Sequence, residues 1–155
     1  MASTPHYDLM LLLGLGFRTV IDHLHGQLAT LGYDDVRPAH GFAFQRLAPD
    51  GATGNELADF LDITKQAASE MVDYLEQHGY VMRQPHPADR RGKIVTLTER
   101  GWNCIRETEG ILSDLETQWA VIVGAERMEE LRADLRQLIT VVNGGTLPQK
   151  FRPTW

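Results

Sequence analysis

Three cations within four residues, Arg90, Arg91 and Lys93, fall on a turn bounded by proline and glycine. The turn, Pro85-His86-Pro87-Ala88-Asp89-Arg90-Arg91-Gly92, separates two short apolar runs, 80–84 and 93–97. That pattern predicts a two-stranded ribbon with a positively charged tip. Just upstream, Thr64-Lys65-Gln66 opens a polar helix. A basic hairpin beside such a helix is shaped to grip a phosphate backbone while the helix probes a groove. The reading is of a DNA-binding protein.

The totals are compatible with that reading. At 155 residues the chain supports one domain, or two small lobes sharing a core. A hydrophobic fraction of 43% excludes wholesale disorder. The net charge of -6 runs against a general polyanion binder. Between 83 and 100, however, five cations (Arg83, Arg90, Arg91, Lys93, Arg100) face two anions (Asp89, Glu99), which leaves +3. Salt screens fields within roughly 8–10 Å, so a local basic patch still attracts a polyanion. A single cysteine, Cys104, rules out an intrachain disulfide framework and fits a reducing cytosol, so a cytoplasmic protein is expected. The apolar run 9–17 falls short of the ~20 residues a membrane helix needs, and no cation precedes it.

Periodicity predicts the remaining elements. Leu13, Phe17, Val20, Leu24 and Leu28 make a helical stripe over 8–30, and Leu11, Leu12 and Leu15 widen it nearly all round. A helix apolar on most sides must be covered on most sides, and a partner subunit is the simplest cover. A second helix follows Asp34-Asp35 with Pro38 in its first turn and Ala39, Phe42, Ala43 and Leu47 facing inward. Thr53-Gly54-Asn55-Glu56 fits a capping box opening a short helix over 54–61. Asp62-Ile63-Thr64 then turns into a helix over 65–78, whose buried face is Ala68, Met71, Val72 and Leu75. Two short helices with a tight turn form a helix-turn-helix. After the ribbon, Thr98 caps a helix to 123 with Trp102, Ile105, Leu112, Leu115 and Trp119 as its stripe. A last helix over 125–142 carries Met128, Leu131, Leu135, Leu138 and Val142 in a heptad-like seam.

Laid out this way, the chain resembles the MarR family of bacterial transcription regulators. The resemblance rests on the helix pair 55–79, the Gly79-Tyr80-Val81 exit, and Asp89-Arg90-Arg91-Gly92-Lys93 leading to Leu97-Thr98-Glu99-Arg100-Gly101. It implies a mainly α fold with a small β-ribbon wing: a winged helix-turn-helix DNA-binding lobe plus a helical dimerisation lobe. The division expected is a dimerisation helix at 1–33, the winged lobe at 34–100, C-terminal dimerisation helices at 101–145 and a loose tail at 146–155. It also implies a homodimer on a palindromic operator in double-stranded DNA, repression, and release by a small aromatic or phenolic effector bound between the lobes. Glu70 departs from the pattern, since many relatives carry a neutral or basic residue there, and Asp73 follows one turn on. Carboxylates facing phosphate are repelled, so the reading surface is confined to the N-terminal turn of its helix.

Each role has a plainer alternative. Thr64, Lys65, Gln66 and Ser69 are expected in the major groove: Thr64 at phosphate near the helix N-terminus, Gln66 two-pronged on adenine, Lys65 on guanine or phosphate. The alternative is a solvated helix face. Arg90, Arg91 and Lys93 are expected on the backbone, with one arginine in the narrow minor groove and Asp89 orienting an arginine. The alternative is a solvated hairpin. Leu12, Leu13, Phe17, Leu131, Leu135 and Leu138 are assigned to the dimer seam. A ligand pocket at the junction of the first, second and fifth helices would be walled by His23, His40, Phe44 and Trp102, although aromatics at helical spacing also serve as plain core. Cys104 offers a redox trigger as an alternative control, but it lies beside an apolar stripe and reads better as a buried, inert thiol. The histidines lack metal-ligand spacing, and no catalytic motif or cofactor loop is present, so neither an enzyme nor a cofactor is expected. A winged-helix interaction module without DNA binding remains as the alternative function.

Overall fold

The computed structural model describes residues 8–150, so residues 1–7 of the N-terminal segment and 151–155 of the expected tail lie outside it. Six helices and a two-stranded sheet follow in the order α1 (Asp8–Thr30), α2 (Pro38–Leu47), α3 (Gly54–Leu61), α4 (Lys65–Gln77), β1 (Val81–Pro85), β2 (Lys93–Leu97), α5 (Glu99–Val123) and α6 (Ala125–Val142). The fold is the mainly α winged helix with a small β ribbon that the pattern predicts. No helix among the described residues is long and apolar enough to cross a membrane.

Local chemistry explains most of the boundaries. Thr53 Oγ1 accepts from the Glu56 N–H at 3.2 Å, and the Glu56 carboxylate accepts from the Thr53 N–H at 2.8 Å, closing the capping box that starts α3. Those bonds hold the Glu56 carboxyl below its usual range. Asp62 ends α3 in the left-handed conformation at φ 52°. Thr64 caps α4 by accepting from the Ala67 N–H at 3.1 Å. Thr98 caps α5 and also donates to the Gly79 carbonyl at 2.6 Å, which ties the start of α5 to the end of α4.

The strands pair antiparallel, from Val81 opposite Leu97 to Pro85 opposite Lys93. Ala52 extends this ladder from the α2–α3 loop: it exchanges two backbone bonds with Val95, at 3.0 and 2.8 Å. Only glycine fits before it. Gly51 has φ +74°, and a Cβ there would lie 2.6 Å from the Val95 carbonyl oxygen.

The core gathers the second half of α1, α2, α3, α4, the ribbon and the start of α5: Leu28, Phe44, Leu47, Leu57, Leu61, Leu75 and Tyr80 are all buried. On α2 Ala43 and Leu47 are buried as expected, but the other two inward positions differ. Phe44 and His40 are buried, whereas Phe42 and Ala39 are only half-buried. Tyr80 decides this, because its ring packs against Phe44 at 5.7 Å between centroids.

The other pole is uncovered. Leu9 to Leu13, Leu15 and Phe17 on α1 are exposed, as are Val121 to Val123 at the end of α5. No residue of α6 is buried, and Leu131 and Leu138 are each more than half exposed.

Candidate nucleic-acid interface

Lys65, Gln66 and Ser69 stand exposed on the first turns of α4, as predicted from the helix phase. Across from them the wing is held as a defined turn. The Ala88 and Asp89 N–H groups donate to His86 Nδ1 at 3.0 and 3.2 Å, and the His86 N–H donates to the Gly92 carbonyl at 3.0 Å. Asp89 accepts from the backbone N–H of Arg91 at 2.9 Å. Asp89 therefore shapes the turn through main chain, instead of gripping an arginine side chain as expected. Arg90, Arg91, Lys93 and Lys65 make no ion pair among the described residues, so their charge is available to a ligand.

A cleft of about 250 Å³ lies between the start of α3, α4 and the ribbon. It brings Lys65, Ser69 and Lys93 together with Asn55 and Arg83, over a floor of Val72 and Val95. Asn55 was not among the predicted contacts. Its signal in the sequence is the capping box itself, which places Asn55 in the first turn of a helix whose N–H groups carry partial positive charge.

Two cations counted in the basic patch do other work. Arg83 is saturated by α4: Nη2 lies 2.5 Å from Asp73 and Nη1 lies 2.6 Å from Glu76. This bridge pins the ribbon to α4 and gives Asp73 a cationic partner. Arg100 turns away from the wing. Its guanidinium stacks over Tyr33 and Tyr80 at 5.2 and 4.6 Å and donates to the Gly32 carbonyl at 3.1 Å. Tyr80 in turn donates to the Asp35 carboxylate, and burial pushes its phenol up.

Glu70 is exposed, lacks a cationic partner among the described residues, and accepts from the Gln66 amide at 3.1 Å.

The four residues assigned to a ligand pocket are placed differently from that expectation. Phe44 is core against Tyr80. His40 accepts the Arg37 N–H at 3.0 Å and stacks on Tyr74, at 5.0 Å between centroids. Burial, then the Arg37 charge, lowers its pKa to about 4. Trp102 is at the surface and His23 is half-exposed. Neither the α4 cleft nor the open groove along α6 is lined by any of them. Cys104 is buried and burial pushes its thiol up to about 11, which leaves almost no thiolate at neutral pH.

A helix-turn-helix followed by a basic wing defines a winged helix-turn-helix protein. Residues 43–92 match the sequence profile of the MarR family. The fold is similar to that of MepR, a transcription regulator of the Staphylococcus aureus multidrug efflux pump MepA, at 20% identity and a TM-score of 0.70, over 90% of this chain and 99% of that one. Wild-type MarR from E. coli, in its apo form, is 24% identical with a TM-score of 0.66, over 88% of this chain and 98% of that one. MepR in a complex with DNA is 21% identical with a TM-score of 0.66, over 88% and 99%. The sequence match to the MarR family spans the helix-turn-helix and wing, and the likeness in fold extends over most of the rest of the chain.

Proposed function

We propose that the chain is a transcription regulator, in sense a repressor, that binds double-stranded DNA as a homodimer on a palindromic operator. In this reading α4 enters the major groove with Thr64, Lys65, Gln66 and Ser69, and the wing holds the flanking backbone with Arg90, Arg91 and Lys93. The observation that carries it is the convergence of unpaired cations from two separate elements, Lys65 on α4 and Lys93 on β2, at one cleft. The similarity of fold to MepR, a protein solved in complex with DNA, supports DNA as the partner. The exposed apolar faces of α1 and α6 supply what a second copy would cover. A small aromatic or phenolic effector that releases the DNA completes the proposal, resting on the family resemblance alone. Half-sites would be centred about 10–10.5 base pairs apart.

The acidic total of -6 favours one competitor, a winged module that has lost DNA. Duplex titration across salt concentrations separates the two. With Lys65, Arg90, Arg91 and Lys93 from both protomers on phosphates, the logarithm of affinity should fall with that of salt at a slope of roughly -7. Arg91→Ala should weaken binding at least about tenfold while melting temperature is unchanged. A flat salt dependence, or an unaltered Arg91→Ala variant, sinks the proposal.

A further inference from the structure

The three carboxylates on the outer side of α4 are treated unequally. Asp73 and Glu76 are both spent on Arg83, at 2.5 and 2.6 Å. Glu70 lies between them and the reading turn, exposed, with no cation within 4.0 Å among the described residues. Its carboxylate accepts from the amide nitrogen of Gln66, one turn back at 3.1 Å. An uncompensated carboxylate is repelled by phosphates and by the N7 and O6 acceptors of guanine. The one partner a major groove offers it is an exocyclic amino group. Cytosine flanks that group on its own ring with a C5–H, whereas adenine places the N7 acceptor there.

We propose that Gln66 and Glu70 read DNA as a unit, with Glu70 accepting from the N4 amino group of a cytosine in each half-site. This rests on the DNA-binding reading above. Glu70 then has two parts to play. By accepting from Gln66 Nε2 it fixes which way that amide is turned, so the Gln66 carbonyl oxygen is presented outward. Its second oxygen meets the neighbouring amino group. Gln66 and Glu70 are four residues apart, roughly 6 Å along the helix axis, which spans about two base-pair steps. Such a carboxylate weakens binding to every duplex through charge and restores it only where the amino group is present, which sharpens discrimination more than it raises affinity.

The test is selection from a randomised duplex pool by the full chain, in parallel with Glu70→Gln and Glu70→Ala. The expected result is that the wild type enriches cytosine at one position per half-site. At that position the variants lose roughly tenfold or more of the preference and bind non-matching duplexes more tightly at low salt. Glu70 is exposed, so circular dichroism and melting of both variants should match the wild type. If the variants enrich the same base as strongly as the wild type, Glu70 is not a reader and the inference falls. If the wild type enriches nothing and retains no duplex, the DNA-binding reading fails first, and this inference fails with it.

Discussion

His40 shows how one side chain can couple packing to pH. It sits in the first turn of α2, where its Nδ1 accepts the Arg37 N–H, so the folded chain needs that nitrogen unprotonated. Around it stand Arg37, Asp35, His25 and His78, with Tyr74 stacked on its ring. The folded pKa of about 4 lies below the unfolded value of 6.5. The unfolded chain therefore binds the proton first. The contribution to stability is complete above pH 6.5, declines as pH falls from 6.5 to 4, and does not decline further below that. Across that window the loss amounts to about 3 kcal/mol. Urea midpoints at pH 7.5 and 4.5 should converge markedly in His40→Gln compared with the wild type. Parallel losses in the two proteins would show that His40 is not the group responsible. Burial lowers the pKa of His25 as well, so some acid sensitivity should survive in the variant.

Among elements, the joint between α4 and the ribbon depends on Arg83. The pairs it makes with Asp73 and Glu76 are partly exposed, so each is worth at most about 1 kcal/mol. Their larger effect is electrostatic. Arg83→Gln should lower the melting temperature only slightly, yet reduce duplex affinity at least about tenfold, because two carboxylates become uncompensated beside the cleft. A fluorescence titration with the same duplex decides it; equal affinity would mean that Asp73 and Glu76 face away from the backbone. The ribbon itself was readable from residue type, as two short runs about a proline–glycine turn, though its first strand lies one residue further on, at Val81–Pro85. The third rung, Ala52 against Val95, was not. A single bridged residue in a loop has no periodicity, and the only trace it leaves is Gly51.

At the scale of the molecule, one pole is packed and the other is not. Among the described residues the leucines of α1 and α6 stay exposed, because α1 and α6 each lie along α5 and no other described element closes over them. Replacing Leu131 and Leu138 together by glutamate should leave the winged core folded, since neither side chain is buried there. Sedimentation should then show a monomer, and operator affinity should fall at least about a hundredfold as the second half-site loses its tether. A double variant that still sediments as a dimer would place the seam elsewhere.

The sequence by itself determined the element order, the caps, the wing and the uncovered helices. Each is written in neighbouring residues: a period of 3.6 or 2, a capping hydroxyl, a turn between prolines and a glycine. Tertiary structure alone decided which charges are free. Arg83 and Arg100 count as positive charge in any tally along the chain. Yet Arg83 meets acids 7 and 10 positions away, and Arg100 meets groups 20 and 68 positions away. Charge acts through distance in space, and only the folded chain brings those partners within reach.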